Sequence, residues 1–306
     1  MGRRVTITAV VLILVSAIIH VGWNLLGKRE HPTAAFLLAA NTLGFLCLTP
    51  ALFFFGRALP MFTAPVWGWL IVTGFFQALY YTALAGAYRA GDMSIAYPLA
   101  RSAPVALVAL FNLARGQIDQ LTSGAMLGMA LIAIGSVFLP MRRFSDWRWK
   151  NYVQAGTLLA LLAALGTTGY SIIDDYALRI LRRMPGSPAG GAAVTVLFAF
   201  FEGLTASLWL ALFVSMSKQG RADWSQVWKT RRRQAGLAGA GIFAAYTLVL
   251  VAMGFARNVS YIVAFRQLSI PLGALVGVAV LKEPGTAPKF AGVAIMFAGL
   301  VLVGVG

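Results

Sequence analysis

Two arginines stand where an apolar chain can least accommodate them. Arg101 lies within YRAGDMSIAYPLARSAPVALVALFNLARG, Tyr88 to Gly116, between Pro98 and Pro104. Arg266 lies within MGFARNVSYIVAFRQLSIPLGALVGVAVLKE, Met253 to Glu283, shortly before Pro271. An arginine at the centre of a membrane helix costs roughly 2.5–3.5 kcal/mol, so such residues face a protein interior or a watery cavity. In a cavity a guanidinium can hold a carboxylate or phosphonate through paired hydrogen bonds. The alternative is an internal pair with an acid, or with carbonyls freed by the prolines. Pro98, Pro104 and Pro271 predict broken helices, tolerated only where neighbours or water satisfy the backbone. Two polar, interrupted segments in corresponding halves of a chain point to a transporter's binding site.

Further polar residues fall on the same apolar segments. His20 is spaced i,i+3 from Trp23 and i,i+4 from Asn24, which places all three on one helix face. Tyr80 and Tyr81 with Gln77, then Tyr97, Tyr170 and Tyr246, offer aromatic walls with hydroxyl handles, and Gln267 adjoins Arg266. These residues, Gln77 apart, are with the two arginines the candidate substrate-binding set. Glu202 and Asp174 are the acids inside apolar segments, and with His20 they are candidates for carrying a coupling proton. Glu202 reads equally as a helix–helix hydrogen bond, and Asp174 and Asp175 as interfacial groups beside Arg179. Trp147, Trp149, Trp224 and Trp228 fit an interfacial belt. No catalytic or metal-ligating constellation is found: Cys47 is the single cysteine, only His20 and His31 are histidines, and no phosphate-binding loop occurs. No cofactor is expected.

The elements that must position these groups are membrane helices. The 306 residues are 59% hydrophobic and 11% charged, with a mean hydropathy of +0.80, a composition suited to stacked apolar spans. The net charge of +16 sits in short connectors, so nucleic acid is not the expected partner; the lipid bilayer and a small-molecule substrate are. Hydropathy predicts an all-α integral membrane fold of ten spans: 5–27, 32–55, 64–87, 92–114, 121–140, 152–178, 190–216, 235–256, 258–281 and 287–305. The basic, apolar N-terminus reads as a retained first helix, not a cleaved signal.

Residues 1–145 and 146–306 carry similar halves. Tyr81-Thr82 matches Tyr246-Thr247, Gly22-Trp23-Asn24 matches Gly169-Tyr170-Ser171, and each half closes on a glycine-rich apolar segment. Five spans repeated must invert the second copy, which gives two inverted five-helix repeats around a central cavity. Glycines at Gly124, Gly128, Gly292, Gly299 and Gly304 suit close helix approach. The basic clusters after spans five and seven place that side in the cytoplasm and both termini outside. Arg3, Arg4, Arg179, Arg182 and Arg183 pull the other way, and orientation stays open.

The HVGWN of the first span, the AYPLARSAP segment and the closing RQLSIPLGALVGVAVLKEP together resemble the EamA-type branch of the drug/metabolite transporter superfamily. That family usually carries a glutamate after its fourth and ninth spans. Glu283 fits the second position, whereas the first reads Ala114-Arg115-Gly116-Gln117 without an acid. The resemblance implies a multi-pass secondary carrier of the cell inner membrane, monomeric or homodimeric. Its members export amino acids or related metabolites, or move sugars and drugs. The alternatives are an uptake or exchange carrier for sugars or phosphonate-type anions, and a membrane enzyme acting on a lipid-linked substrate.

Overall fold

The computed structural model describes residues 5–28, 32–90, 93–117, 120–146, 154–184, 191–280 and 282–305, the side chains of 24–28 and 93–99 excepted. The described residues are almost entirely helical: α1 (Ile7–Lys28), α2 (Ala34–Leu46), α3 (Pro50–Phe55), α4 (Ala64–Ala90), α5 (Met93–Ala114), α6 (Ser123–Phe138), α7 (Ala155–Arg183), α8 (Ala192–Ser215), α9 (Lys218–Thr230), α10 (Arg232–Met253), α11 (Val259–Arg266), α12 (Ser269–Ala279) and α13 (Ala287–Val305). Side chains set several starts. The hydroxyls of Thr33, Thr122 and Ser217 accept from backbone N–H groups in the first turns of α2, α6 and α9, and the Asn258 amide oxygen does so for α11.

Among the described residues, α4, α7, α8, α10, the α11–α12 pair and α13 are each long and apolar enough to cross a membrane. The segment from α2 to Met61, bent by 41°, adds a seventh if it is one span, and α1, α5 and α6 supply shorter apolar stretches. The surface agrees with a multi-pass membrane protein. Ile7, Val11, Leu14 and Ile18 of α1 are exposed, while Ala9, Ile13, Ser16 and Ala17 on its other face are buried. Buried polar side chains with an apolar exterior invert the soluble pattern, and so large an exposed apolar surface suits hydrocarbon contact.

Two expectations change at this level. The connector Lys218 to Gln234 is mostly helical: α9 lies there, Trp224 and Trp228 stacked at 5.6 Å and Val227 buried. The prolines divide unequally. α5 runs as one helix through Pro98 and Pro104, so the break expected there is absent; a proline removes one ladder bond, and the remaining bonds of a long helix carry on past it. The second break is present, between Arg266 and Ser269. Pro271 has no N–H for the Gln267 carbonyl, which accepts from Ile270 instead (2.9 Å), tightening the chain between α11 and α12.

Packing across the two halves is reciprocal. α4 packs on α7 as α1 packs on α10, and α4 on α8 as α2 on α10; α2 meets α8, and α6 meets α13. Counting α2–α3 and α11–α12 each as one segment and leaving α9 aside, exchange of the first five segments with the last five maps these pairings onto one another. The α6–α13 seam shows why glycine is needed. A Cβ on Gly135 would lie 2.8 Å from the Gly292 carbonyl oxygen, and one on Gly292 would lie 2.6 Å from that of Gly135. Gly128 and Gly299 oppose each other in the same way. Backbones this close gain packing and C–H···O contacts without side chains between them. Gly135→Val or Gly292→Val should therefore destabilise the protein by about 1–3 kcal/mol, read as a lower unfolding midpoint in detergent. Gly22→Ala, where a Cβ meets nothing within 4 Å, serves as the control and should leave the midpoint nearly unchanged.

Candidate functional site

The sequence-predicted residues converge on one place. A cavity of about 50 Å³ lies between α1, α4, α5, α7, α10 and the α11–α12 break. His20, Trp23, Tyr80, Tyr81, Arg101, Tyr170, Tyr246 and Arg266 line it, joined by Ser16, Gln77 and Ser269. Gln267 is not among them: its side-chain amide turns back to the Val263 carbonyl at 2.9 Å. The side chains of Asn24 and Tyr97 lie outside the described residues.

The arginines occupy different settings. Arg101 is 6% exposed and makes one side-chain bond, Nη2 donating to Ser269 Oγ at 3.1 Å; its Nε is buried without an acceptor. Ser269 Oγ in turn donates to the Arg266 carbonyl at 3.1 Å, so the interrupted segment supplies the acceptor that holds Arg101. Arg266 donates to Tyr170 Oη at 3.1 Å and to Ser171 Oγ at 3.4 Å. Its guanidinium also stands over the rings of Tyr246 (5.2 Å) and Tyr170 (5.7 Å), an electrostatic contact that strengthens out of water. Among the described residues the ion pairs are Asp175–Arg179 and Glu283–Lys289, so neither cavity arginine has an acid partner. Among the described residues, the internal acid pair that would make them purely structural is not formed.

The first helix behaves as its spacing predicts. Trp23 Nε1 donates to His20 Nδ1 at 3.2 Å, and the rings meet edge to face at 4.9 Å. This bond leaves His20 Nε2 as the nitrogen available to the cavity.

Behind the cavity lies a polar cluster that sequence reading located only in part. The Asp174 carboxyl is fully buried, accepting from Thr73 Oγ1 at 2.5 Å and from the Tyr246 hydroxyl. Glu202, 1% exposed, accepts from Gln77 and lies within hydrogen-bonding reach of Asp174. Glu202 Oε2 is buried without a hydrogen-bond partner. Asp174 is therefore a tie between α4, α7 and α10, not an interfacial acid; Asp175 takes that part, its Oδ2 2.8 Å from Arg179 Nε. Sequence analysis missed Thr73, Ser16, Ser171 and Ser269. The stripe Thr73, Gln77, Tyr80, Tyr81 at i, i+4, i+7, i+8 was the available signal for the first.

Comparison with known proteins bears on fold only. No family model matches the chain, and no curated protein sequence does. It superposes on a solved crystal structure of a protein with a TM-score of 0.67 and 19% identity, covering 97% of each chain. At that identity the likeness establishes a shared fold and says nothing of activity.

Asp174→Ala should remove the acceptor from Thr73 and Tyr246 and destabilise the protein by about 1–3 kcal/mol. Asp174→Asn, which retains an oxygen for one of them, should cost less. Thermal unfolding of the purified variants in detergent measures both; an alanine variant as stable as wild type would show that the carboxyl ties nothing together.

Proposed function

We propose that the protein is a secondary active transporter of the drug/metabolite type, exporting a small polar metabolite with an anionic group, such as an amino acid or related organic anion. Its ten crossings form two inverted halves, 1–145 and 146–306, in the inner membrane. One observation carries the reading: Arg101 and Arg266, one from each half, face a single polar cavity without acidic partners among the described residues. Two such groups cost several kcal/mol between them if they only fill space. Their use is to hold a carboxylate whose charge replaces the missing acids, while the tyrosines and His20 receive the rest of the solute.

Reciprocal packing of the halves supports alternating access, because a rocking motion of one half against the other exposes a site shared by both. Metabolite sites usually measure about 300–1,000 Å³. A cavity of about 50 Å³ corresponds, on this reading, to a closed state. Glu202 and Asp174 are the natural proton carriers: they lie one layer behind Arg266 and join it through Tyr246, whose hydroxyl bonds Asp174 and whose ring lies under the guanidinium.

The test is efflux from cells lacking their own exporters and fed dipeptides, with external amino acids followed by mass spectrometry. Wild type should speed the loss of a carboxylate-bearing solute. Arg101→Ala or Arg266→Ala should cut that efflux about ten-fold or more at unchanged membrane abundance, the loss expected for one charged hydrogen-bonding group. Efflux that survives both changes would make the arginines structural and defeat the reading. Glu202→Gln should leave a slow efflux that no longer responds to an imposed proton gradient; an unaltered response would remove Glu202 from the coupling.

A further inference from the structure

A second cavity, larger than the central one, lies apart from it. A basin of about 570 Å³ opens where the C-terminal ends of α5 and α7 meet the turn from α10 to α11. Its upper rim is cationic. Arg115, Arg183 and Arg257 are exposed there, and among the described residues no acid pairs with any of them. Arg179, just below, is already engaged: Nε bonds Asp175, and Nη2 donates to the carbonyls of Ala256 and Arg257, each at 3.2 Å.

Below the rim the lining changes character. Ile172, Tyr176 and Ile180 recur every fourth residue on one face of α7, opposite Phe111 of α5. From Arg183 down to Ile172 the helix rises roughly 16 Å, at about 1.5 Å per residue. The basin is thus charged at the end of the helices and apolar one to three turns further in. A free inorganic anion would use the rim and leave the apolar wall bare. An amphiphile uses both.

One more group refines the head. Asp175 Oδ1 is buried beside the basin with no donor, while its other oxygen is held by Arg179. A carboxylate repels a phosphate, so the phosphate belongs at the three rim arginines, with Arg183 about two turns further along α7 than Asp175.

We infer that this basin binds an acidic glycerophospholipid. Its phosphate sits among Arg115, Arg183 and Arg257, and an acyl chain lies along Phe111, Ile172 and Tyr176. The lipid bridges α5, α7 and the α10–α11 turn, and so braces one end of the bundle. The inference is independent of what the central cavity carries.

The test uses the full chain purified in a mild detergent and examined by native mass spectrometry. Phosphatidylglycerol and phosphatidylethanolamine are added at equal concentration, and inorganic phosphate is added in a separate arm. Expected is one retained phosphatidylglycerol adduct, preferred over phosphatidylethanolamine and not displaced by millimolar phosphate. Arg183→Ala and Arg257→Ala should each weaken it about five-fold, the usual worth of one basic residue at a lipid surface. Arg232→Ala with Arg233→Ala, a larger loss of charge elsewhere on the surface, should leave it unchanged. Equal loss in that control would mean general surface charge and overturn the site. Lack of head-group preference would overturn it too, and displacement by phosphate would reduce it to a simple anion site. Because the rim residues are exposed, their variants should fold as wild type does, which unfolding without lipid checks.

Discussion

Asp174 accepts hydrogen bonds from Thr73 on α4 and Tyr246 on α10, and its own helix, α7, carries it between them. In hydrocarbon no water is at hand to replace those bonds, and a buried polar group left without a partner costs several kcal/mol. The carboxyl therefore fixes where three long helices stand, and the rest of the site follows from that. Tyr246 is turned so that its ring lies beneath Arg266, Tyr170 one turn before Asp174 meets the same guanidinium, and Glu202 is drawn in from α8. The same logic recurs away from the centre. Asn41 on α2, fully buried, donates to the Gly203 carbonyl at 2.8 Å and to Ser207 at 2.9 Å on α8.

Between such ties the helices are held by closeness. The α6–α13 seam is backbone against backbone at its glycines, and Gly166 and Gly169 of α7 admit Phe76 and Tyr80 of α4 in the same manner. Close approach matters more here than apolar burial, because lipid tails offer the side chains as good an apolar environment as another helix does. The α4–α7 seam carries both devices, the α7 glycines and the Thr73–Asp174 bond, and the small cavity lies against it.

The two cavities contrast in a way that makes physical sense. The central one is small, lined by both halves, and holds the buried Arg101 and the half-buried Arg266, neither ion-paired with an acid among the described residues. The basin at the ends of α5 and α7 is large and open, with cations exposed at its rim and apolar side chains beneath.

Much of this was legible in the residues themselves. Apolar runs of membrane length place the helices, because a chain in hydrocarbon must close its backbone bonds within each segment. Arg101, Arg266, His20 and the tyrosines mark the inward faces, because polar groups on such helices turn away from lipid, and the structure gathers eight of the predicted residues around one cavity. What the sequence left undecided depends on neighbours. Pro104 and Pro271 look alike in the chain, yet α5 continues through the first while the segment breaks before the second, where Ile270 and Ser269 take up the carbonyls of Gln267 and Arg266. Asp174 and Asp175 are adjacent and chemically identical, yet one is a buried tie and the other an ion pair at the edge of the basin, because successive residues on a helix point about 100° apart. Which helix stands opposite each face is a property of the packed bundle. Residue type alone fixes only that some partner is needed.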